Sequence, residues 1–478
     1  MSFPTLRFAA FFLILALGWH LLPGKLKKPW LLLGCLGFYA LAGGAWLLLP
    51  AGETLLTWLL ALASEKRLWG KRKLWTALGL CLVLGGLLVF KYSRFFLRDL
   101  LGFPAPFLSG WILPLGVSFF SFTLAGYLFD VQKDRYPAER NLLDFALFTC
   151  FFPTILSGPI ERGNTLLPQI RALPSSDGES RRRSLLRFTW GLCKKLVAAD
   201  TLGLYVDAAY ADPSAVSGGA MLIAVLLYSF QIYLDFSAYT DMAVGCAGLL
   251  GFRLTENFRA PYLSVSVKDF WKKWHISLTS WLREYLSFPL GGSRRGKGRT
   301  ILNILIVFAV SGLWHGSAWT FLLWGILNGL YQALGMATLP LRQRLWRRLG
   351  LGEKGKMLCC VRCLLTFGFI TASWVLFRSD SPGQALYVVK HILLILRDGF
   401  GLSSALSLIP LRQLRLLPLC LAPFLWEDIR IALGKPRLPE LRSPFAYWGV
   451  MLLLMLFTAV FGVYGLGFDA REFVYFRF

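Results

Sequence analysis

Apolar runs close to the length of a membrane span recur from one end of this chain to the other. About 20 residues of helix cross the roughly 30 Å of bilayer hydrocarbon, and only helices or closed barrels satisfy their backbone there. The runs are continuous rather than alternating, which excludes a barrel. With 56% hydrophobic residues and a mean hydropathy of +0.57, the 478-residue chain is too apolar to be soluble. The expected class is therefore all-α: a polytopic transmembrane helical protein of about eleven spans with re-entrant and interfacial helices.

Spans are expected at about 6–22, 30–50, 74–97, 108–131, 219–236, 301–310, 358–377 and 445–467. Less regular apolar segments fall at 384–397 and 402–427, and a short one at 54–63 reads as re-entrant or interfacial. The run after Arg7 ends without a small-residue cleavage site, so it reads as a retained first helix rather than a signal peptide. Between Phe145 and Arg162, Pro153 and Ser157-Gly158-Pro159 interrupt an apolar run. In a bilayer that pattern means a broken helix lining a cavity or a simple kink. Residues 172–187 and 341–356 read as polar loops.

The formal charge of +25 would suggest nucleic acid in a soluble protein. Here the cations cluster between apolar spans, for example Lys66, Arg67, Lys71, Arg72 and Lys73, as cytoplasmic loops facing anionic lipid do. No basic-aromatic module is present, so membrane lipids are the expected partner and nucleic acid is not. Nine cysteines lie mostly in apolar sequence, against a disulfide framework. Cys360-Val-Arg-Cys363 has ligand spacing but no second pair for a four-ligand zinc site, so no metal is expected.

The chemistry concentrates between Lys268 and Gly329, where two of the four histidines, His275 and His315, each follow a tryptophan, Trp274 and Trp314. Around the first, Trp271, Trp274, Leu278, Trp281 and Tyr285 recur at helical spacing, opposite Lys268, Lys272 and His275. That pattern predicts one amphipathic helix in the headgroup plane. Then comes a glycine-rich basic loop, Pro289-Leu-Gly-Gly-Ser-Arg-Arg-Gly-Lys, which can approach phosphates but is not a nucleotide-hydrolysing loop. His315 sits in apolar sequence among small residues that would leave room beside its imidazole; a buried neutral imidazole can accept a proton, or be a packed core residue. Asp235 and Asp241 are acids amid apolar sequence, expected to face a cavity or a partner. A transporter or lipid-linked saccharide flippase would share the broken helices and intramembrane acids, but would not require His315.

These residues resemble the membrane-bound O-acyltransferase family, in the branch with bacterial alginate O-acetylases. The resemblance rests on Phe270-Trp-Lys-Lys-Trp-His275, Pro289-Leu-Gly-Gly and Gly312-Leu-Trp-His315-Gly. It extends to Phe90-Lys-Tyr, Ser157-Gly-Pro-Ile, Trp374-Val-Leu-Phe-Arg378 and the terminal Phe-Val-Tyr-Phe-Arg-Phe, and is least between about 51 and 75. It implies one membrane-embedded domain over 1–478: N-terminal helices at 1–140, a catalytic core at 141–340 and C-terminal helices at 341–478, around a central tunnel. It also implies that His315 is the catalytic histidine and His275 a second functional one. An acyl group would pass from a cytoplasmic thioester, acetyl-CoA or another donor, to an extracytoplasmic hydroxyl, with no tightly bound cofactor. The acceptor would be a polysaccharide, reached directly or through a secreted or membrane-anchored serine acyltransferase, and D-alanyl transfer to teichoic acid is the alternative. Asp235, Asp241, Asn257, Trp274 and Trp314 are candidates for lining the tunnel or orienting the imidazole, and Lys272, Lys273, Arg294, Arg295 and Lys297 for holding donor phosphates.

Overall fold

A computed structural model describes residues 2–103, 113–353, 355–401, 411–441, 443–464 and 473. The start of the 108–131 segment, residues 402–410 and nearly all of the terminal aromatic motif lie outside the described residues. The chain divides into two compact units, one chiefly of Met1–Leu192 and Ala238–Glu256, the other chiefly of Cys193–Ser237 and Asn257–Phe468.

In the first unit, α1 (Leu6–Leu21) starts where the Thr5 hydroxyl accepts from the Phe8 amide. There follow α2 (Gly24–Gly43), α3 (Leu48–Glu65), α4 (Arg72–Arg94) and α5 (Val117–Gln132). The segment expected at 54–63 as a short re-entrant piece is thus a full 18-residue helix. Its small hydroxyl residues explain why hydropathy undercounts it: Thr54 bonds Thr149 at 2.9 Å and Ser64 bonds Thr76 at 2.9 Å. Polar residues here join helices rather than end them.

The interrupted run becomes α6 (Leu142–Cys150) and the single turn α7 (Phe152–Ile155), followed by non-helical backbone to Arg162. Residues 151–161 are buried throughout, so the freed backbone packs against protein. Gly116, at φ +71°, makes the close approach possible, since a Cβ there would stand 2.2 Å from the Ile155 carbonyl oxygen. Then come α8 (Gly163–Ala172) and α9 (Gly178–Cys193). The second of these replaces half of the loop expected at 172–187, because Glu179 and Arg183 are spaced for a helical ion pair and an apolar stretch follows.

The second unit carries α10 (Asp200–Ala211), most of α11 (Gly218–Leu249), α12 (Val267–Lys273), α13 (Ile276–Leu282), α14 (Lys297–His315) and α15 (Trp319–Ala337). It continues with α16 (Leu339–Arg348), α17 (Lys356–Arg378), α18 (Pro382–Leu393), α19 (Ile395–Asp398), α20 (Leu411–Ala432) and α21 (Pro444–Phe461). Half of the loop expected at 341–356 is α16, a basic helix whose buried Trp346 anchors it. Among the described residues five helices are long and apolar enough to cross a membrane: Arg72–Leu100, α11, α14, α17 and α21. A sixth is counted if α15 and α16, bent by 51°, form one span. The count is below the eleven read from hydropathy partly because segments such as α1, at 16 residues, are too short to meet the same length.

Candidate active site

The site lies in the second unit and is built by two stretches that each end in Trp-His. In the first, residues 257–259 run beside 273–277. The Asn257 carbonyl accepts from the Ile276 amide at 3.0 Å, its side-chain oxygen accepts from the Ser277 amide at 3.1 Å, and the Arg259 amide donates to the Lys273 carbonyl at 3.0 Å. These bonds bracket His275, whose backbone is left-handed at φ +43°, ψ 55°. For a non-glycine residue that conformation costs about 1–3 kcal/mol and persists only where neighbours enforce it.

This break overturns the single amphipathic helix expected here. The chain forms α12, turns at Trp274-His275 and resumes as α13. A continuous helix would have set His275 on the basic face, whereas the turn sends it inward, 1% exposed, with its ring 4.7 Å from Phe236. Trp274, fully buried, packs on Phe258, Phe270 and Trp374 with ring centroids 5.1–5.3 Å apart. Burial drives the pKa of His275 down to about 3, so its imidazole is neutral near pH 7.

His315 is the last residue of α14 and is 4% exposed. Its ring lies 5.0 Å from Trp314, 5.2 Å from Trp324 and 5.4 Å from Phe377. Trp324 in turn stacks on Trp374 at 5.5 Å. Trp314 touches both histidines, standing 5.7 Å from His275, and the two imidazoles are 6.4 Å apart. The small residues beside His315 serve a different purpose from the one expected. A Cβ on Gly312 would lie 2.2 Å from the Phe321 carbonyl oxygen, and one on Gly316 would lie 2.2 Å from the Phe321 ring. They admit α15.

The other candidates separate. Asp235 pairs with Lys195 at 2.7 Å, and Lys195 also holds Asp200 at 2.8 Å. Asp241 belongs to the first unit, where Arg187 bridges it to Glu256. Asn257 orients backbone around His275. Lys272, Arg294, Arg295 and Lys297 are exposed, while Lys273 is half-buried and bound to Asp269 at 2.9 Å. Among the described residues no cluster of three or more His, Cys, Asp or Glu side chains could hold a metal.

Sequence reasoning missed several supporting residues. Asn303 donates to the carbonyls of Leu290 at 3.2 Å and Gly292 at 2.9 Å, fixing the glycine-rich loop. Lys194 pairs with Glu427 at 3.0 Å, both 1% exposed; Arg437 binds the same carboxylate and donates to the Phe258 carbonyl at 2.7 Å, bracing the segment beside His275. Lys194-Lys195 and Glu427-Asp428 stand in apolar sequence, and an ionisable pair in such a setting was the signal that could have found them.

Residues 89–372 match the membrane-bound O-acyltransferase family. A probable alginate O-acetylase of Pseudomonas putida is 35% identical over 391 residues, covering 80% of this chain and 78% of the relative. A peptidoglycan O-acetyltransferase of Helicobacter pylori is 33% identical over 412 residues, covering 78% and 76%. A teichoic acid D-alanyltransferase of Streptococcus thermophilus is 28% identical over 229 residues, covering 45% and 55%. With both tryptophan-histidine motifs inside the matched region and their imidazoles brought together in apolar surroundings, this chain belongs to the membrane-bound O-acyltransferase family, as a multi-pass membrane protein.

Proposed function

We propose that this protein transfers an acetyl group from a cytoplasmic acyl thioester, acetyl-CoA, to a hydroxyl of an extracytoplasmic polysaccharide. The observation that carries the reading is the pair of buried imidazoles 6.4 Å apart within an aromatic enclosure. The likeness to an alginate O-acetylase and a peptidoglycan O-acetyltransferase supports a polysaccharide acceptor. The acetyl group passes to the polysaccharide directly or through a serine hydroxyl of a secreted or membrane-anchored partner acyltransferase, and the same chemistry serves either acceptor.

In this reading His315 is the general base. It takes the hydroxyl proton as the oxygen attacks the thioester carbonyl, and returns that proton to the thiolate when the tetrahedral intermediate collapses. Such proton transfer is worth about 10²–10⁴ in rate. His275 lines the same enclosure as a second functional group, and Trp274 and Trp314 fix the positions of the two rings. Asp235 sits one residue before Phe236, the ring against His275, so its pairing with Lys195 steadies that wall. The exposed Lys272, Arg294, Arg295 and Lys297, with Lys273, suit the phosphates of the donor.

Purified protein reconstituted with radiolabelled acetyl-CoA tests the reading. Wild type should label an added polysaccharide acceptor, and His315→Ala should lose about 10²–10⁴ of that rate while inserting at normal abundance. Equal labelling by the variant would remove His315 from the chemistry. D-alanyl transfer is the second reading, favoured by the likeness to a teichoic acid D-alanyltransferase. Transfer only from an aminoacylated carrier, and none from acetyl-CoA, would select it.

A further inference from the structure

A basic pocket of about 690 Å³ lies in the first unit, where the turn between α3 and α4 meets the end of α5. Arg67, Lys71, Arg72, Lys73, Gln132 and Lys133 line it. The acid beside it, Asp134, is taken up by Arg72, which reaches both carboxylate oxygens at 2.5 and 2.6 Å and also donates to the Val131 carbonyl. Arg72 is therefore a fixed wall. Among the described residues no carboxylate pairs with Lys71, Lys73 or Lys133, and all three are exposed.

The turn has a definite shape. Arg67, Trp69 and Gly70 have φ of 51°, 54° and 68°, and the Gly70 amide closes onto the Arg67 carbonyl at 2.7 Å. The Trp75 indole donates to the Leu68 carbonyl at 3.0 Å and packs on Trp69, ring centroids 5.2 Å apart. Trp69 is 80% exposed, yet it is an aromatic at the mouth of a membrane helix, where indoles lodge among lipid headgroups. From the pocket, Leu74 and Leu78 continue an exposed apolar strip along α4, which with the turn that follows it to Leu100 forms a 29-residue helix long and apolar enough to cross the bilayer.

We propose that this pocket binds the phosphate headgroup of an anionic phospholipid, with the acyl chains lying along Leu74 and Leu78. Cations without acidic partners answer the phosphate, Trp69 meets the glycerol level, and the leucines meet hydrocarbon. The apolar strip favours a lipid over a soluble phosphate, which has nothing to place against it. Clustered cations put this face on the cytoplasmic side, where anionic lipid is concentrated. The site is independent of the acyl-transfer chemistry.

The test uses the full chain in detergent, with dioleoyl-phosphatidylglycerol and dioleoyl-phosphatidylcholine as probes and bound lipid counted by native mass spectrometry. Wild type should prefer the anionic lipid by about tenfold or more, and Lys71→Gln/Lys73→Gln/Lys133→Gln should abolish the preference. Arg344→Gln/Arg347→Gln/Arg348→Gln, which removes equal charge from exposed positions of α16, should retain it. An equal loss in both triple variants would mean diffuse attraction and overturn the pocket, as would no loss in the first. Glycerol 3-phosphate binding as tightly as the lipid, undiminished by Trp69→Ala, would overturn the lipid assignment in favour of a free phosphate.

Discussion

His275 and His315 each follow a tryptophan, are equally buried and belong to one aromatic enclosure, yet they are held by different means. The first sits at a break between two short helices, in a left-handed conformation enforced by backbone bonds from Asn257 and Arg259. The second ends a 19-residue helix and is held by the rings of Trp314, Trp324 and Phe377 around it. One position depends on hydrogen bonds that set the chain's path. The other is walled by packed rings, each of which contributes dispersion contact.

Three changes should separate the two. Trp374→Ala removes a ring that stacks on Trp324 and touches Trp274, leaving a cavity behind His315. It should lower stability by about 3–5 kcal/mol, read as a fall in thermal midpoint, with acyl transfer falling alongside. A loss no larger than that of a surface substitution would mean that packing does not hold His315. Asn257→Ala deletes the side-chain bond to the Ser277 amide, for an expected cost of about 1–3 kcal/mol. Asn257→Ser keeps a neutral acceptor and should recover part of it; no loss in Asn257→Ala would shift the support of His275 to the backbone bonds alone.

The smallest effect is pH-dependent. With its pKa lowered by burial to about 3, folded His275 stays neutral where an unfolded histidine, near 6.5, binds a proton. The stability it contributes is complete above about 6.5 and is lost as pH falls towards 3. Between pH 7 and 5.5 that amounts to about 1 kcal/mol, and His275→Gln should flatten this part of the profile. Identical slopes for wild type and variant in thermal unfolding would show that His275 is not desolvated.

Periodicity exposed the long spans well: the segments expected at 74–97, 219–236 and 358–377 became α4, α11 and α17, the last two extended at both ends and α4 ending at Arg94. It failed where polar side chains work inside the protein. Thr54 and Ser64 made α3 look too short to be a full helix, although their hydroxyls pair across helices. It also failed at Trp271–Tyr285, since the same three- and four-residue spacing fits one helix or two short ones about a turn. The bonds that Asn257 and Arg259 make with residues 273–277 tip the choice.

The membrane class, the two tryptophan-histidine motifs and their family were legible along the chain, because hydropathy and residue identity are local properties. Which groups meet emerged only from the folded arrangement. It joined His275 to His315 through Trp314, placed Asp241 with Arg187 instead of an imidazole, and assigned Gly312 to helix contact instead of substrate space. Those outcomes depend on close packing and paired buried charges between remote segments, which no local pattern encodes.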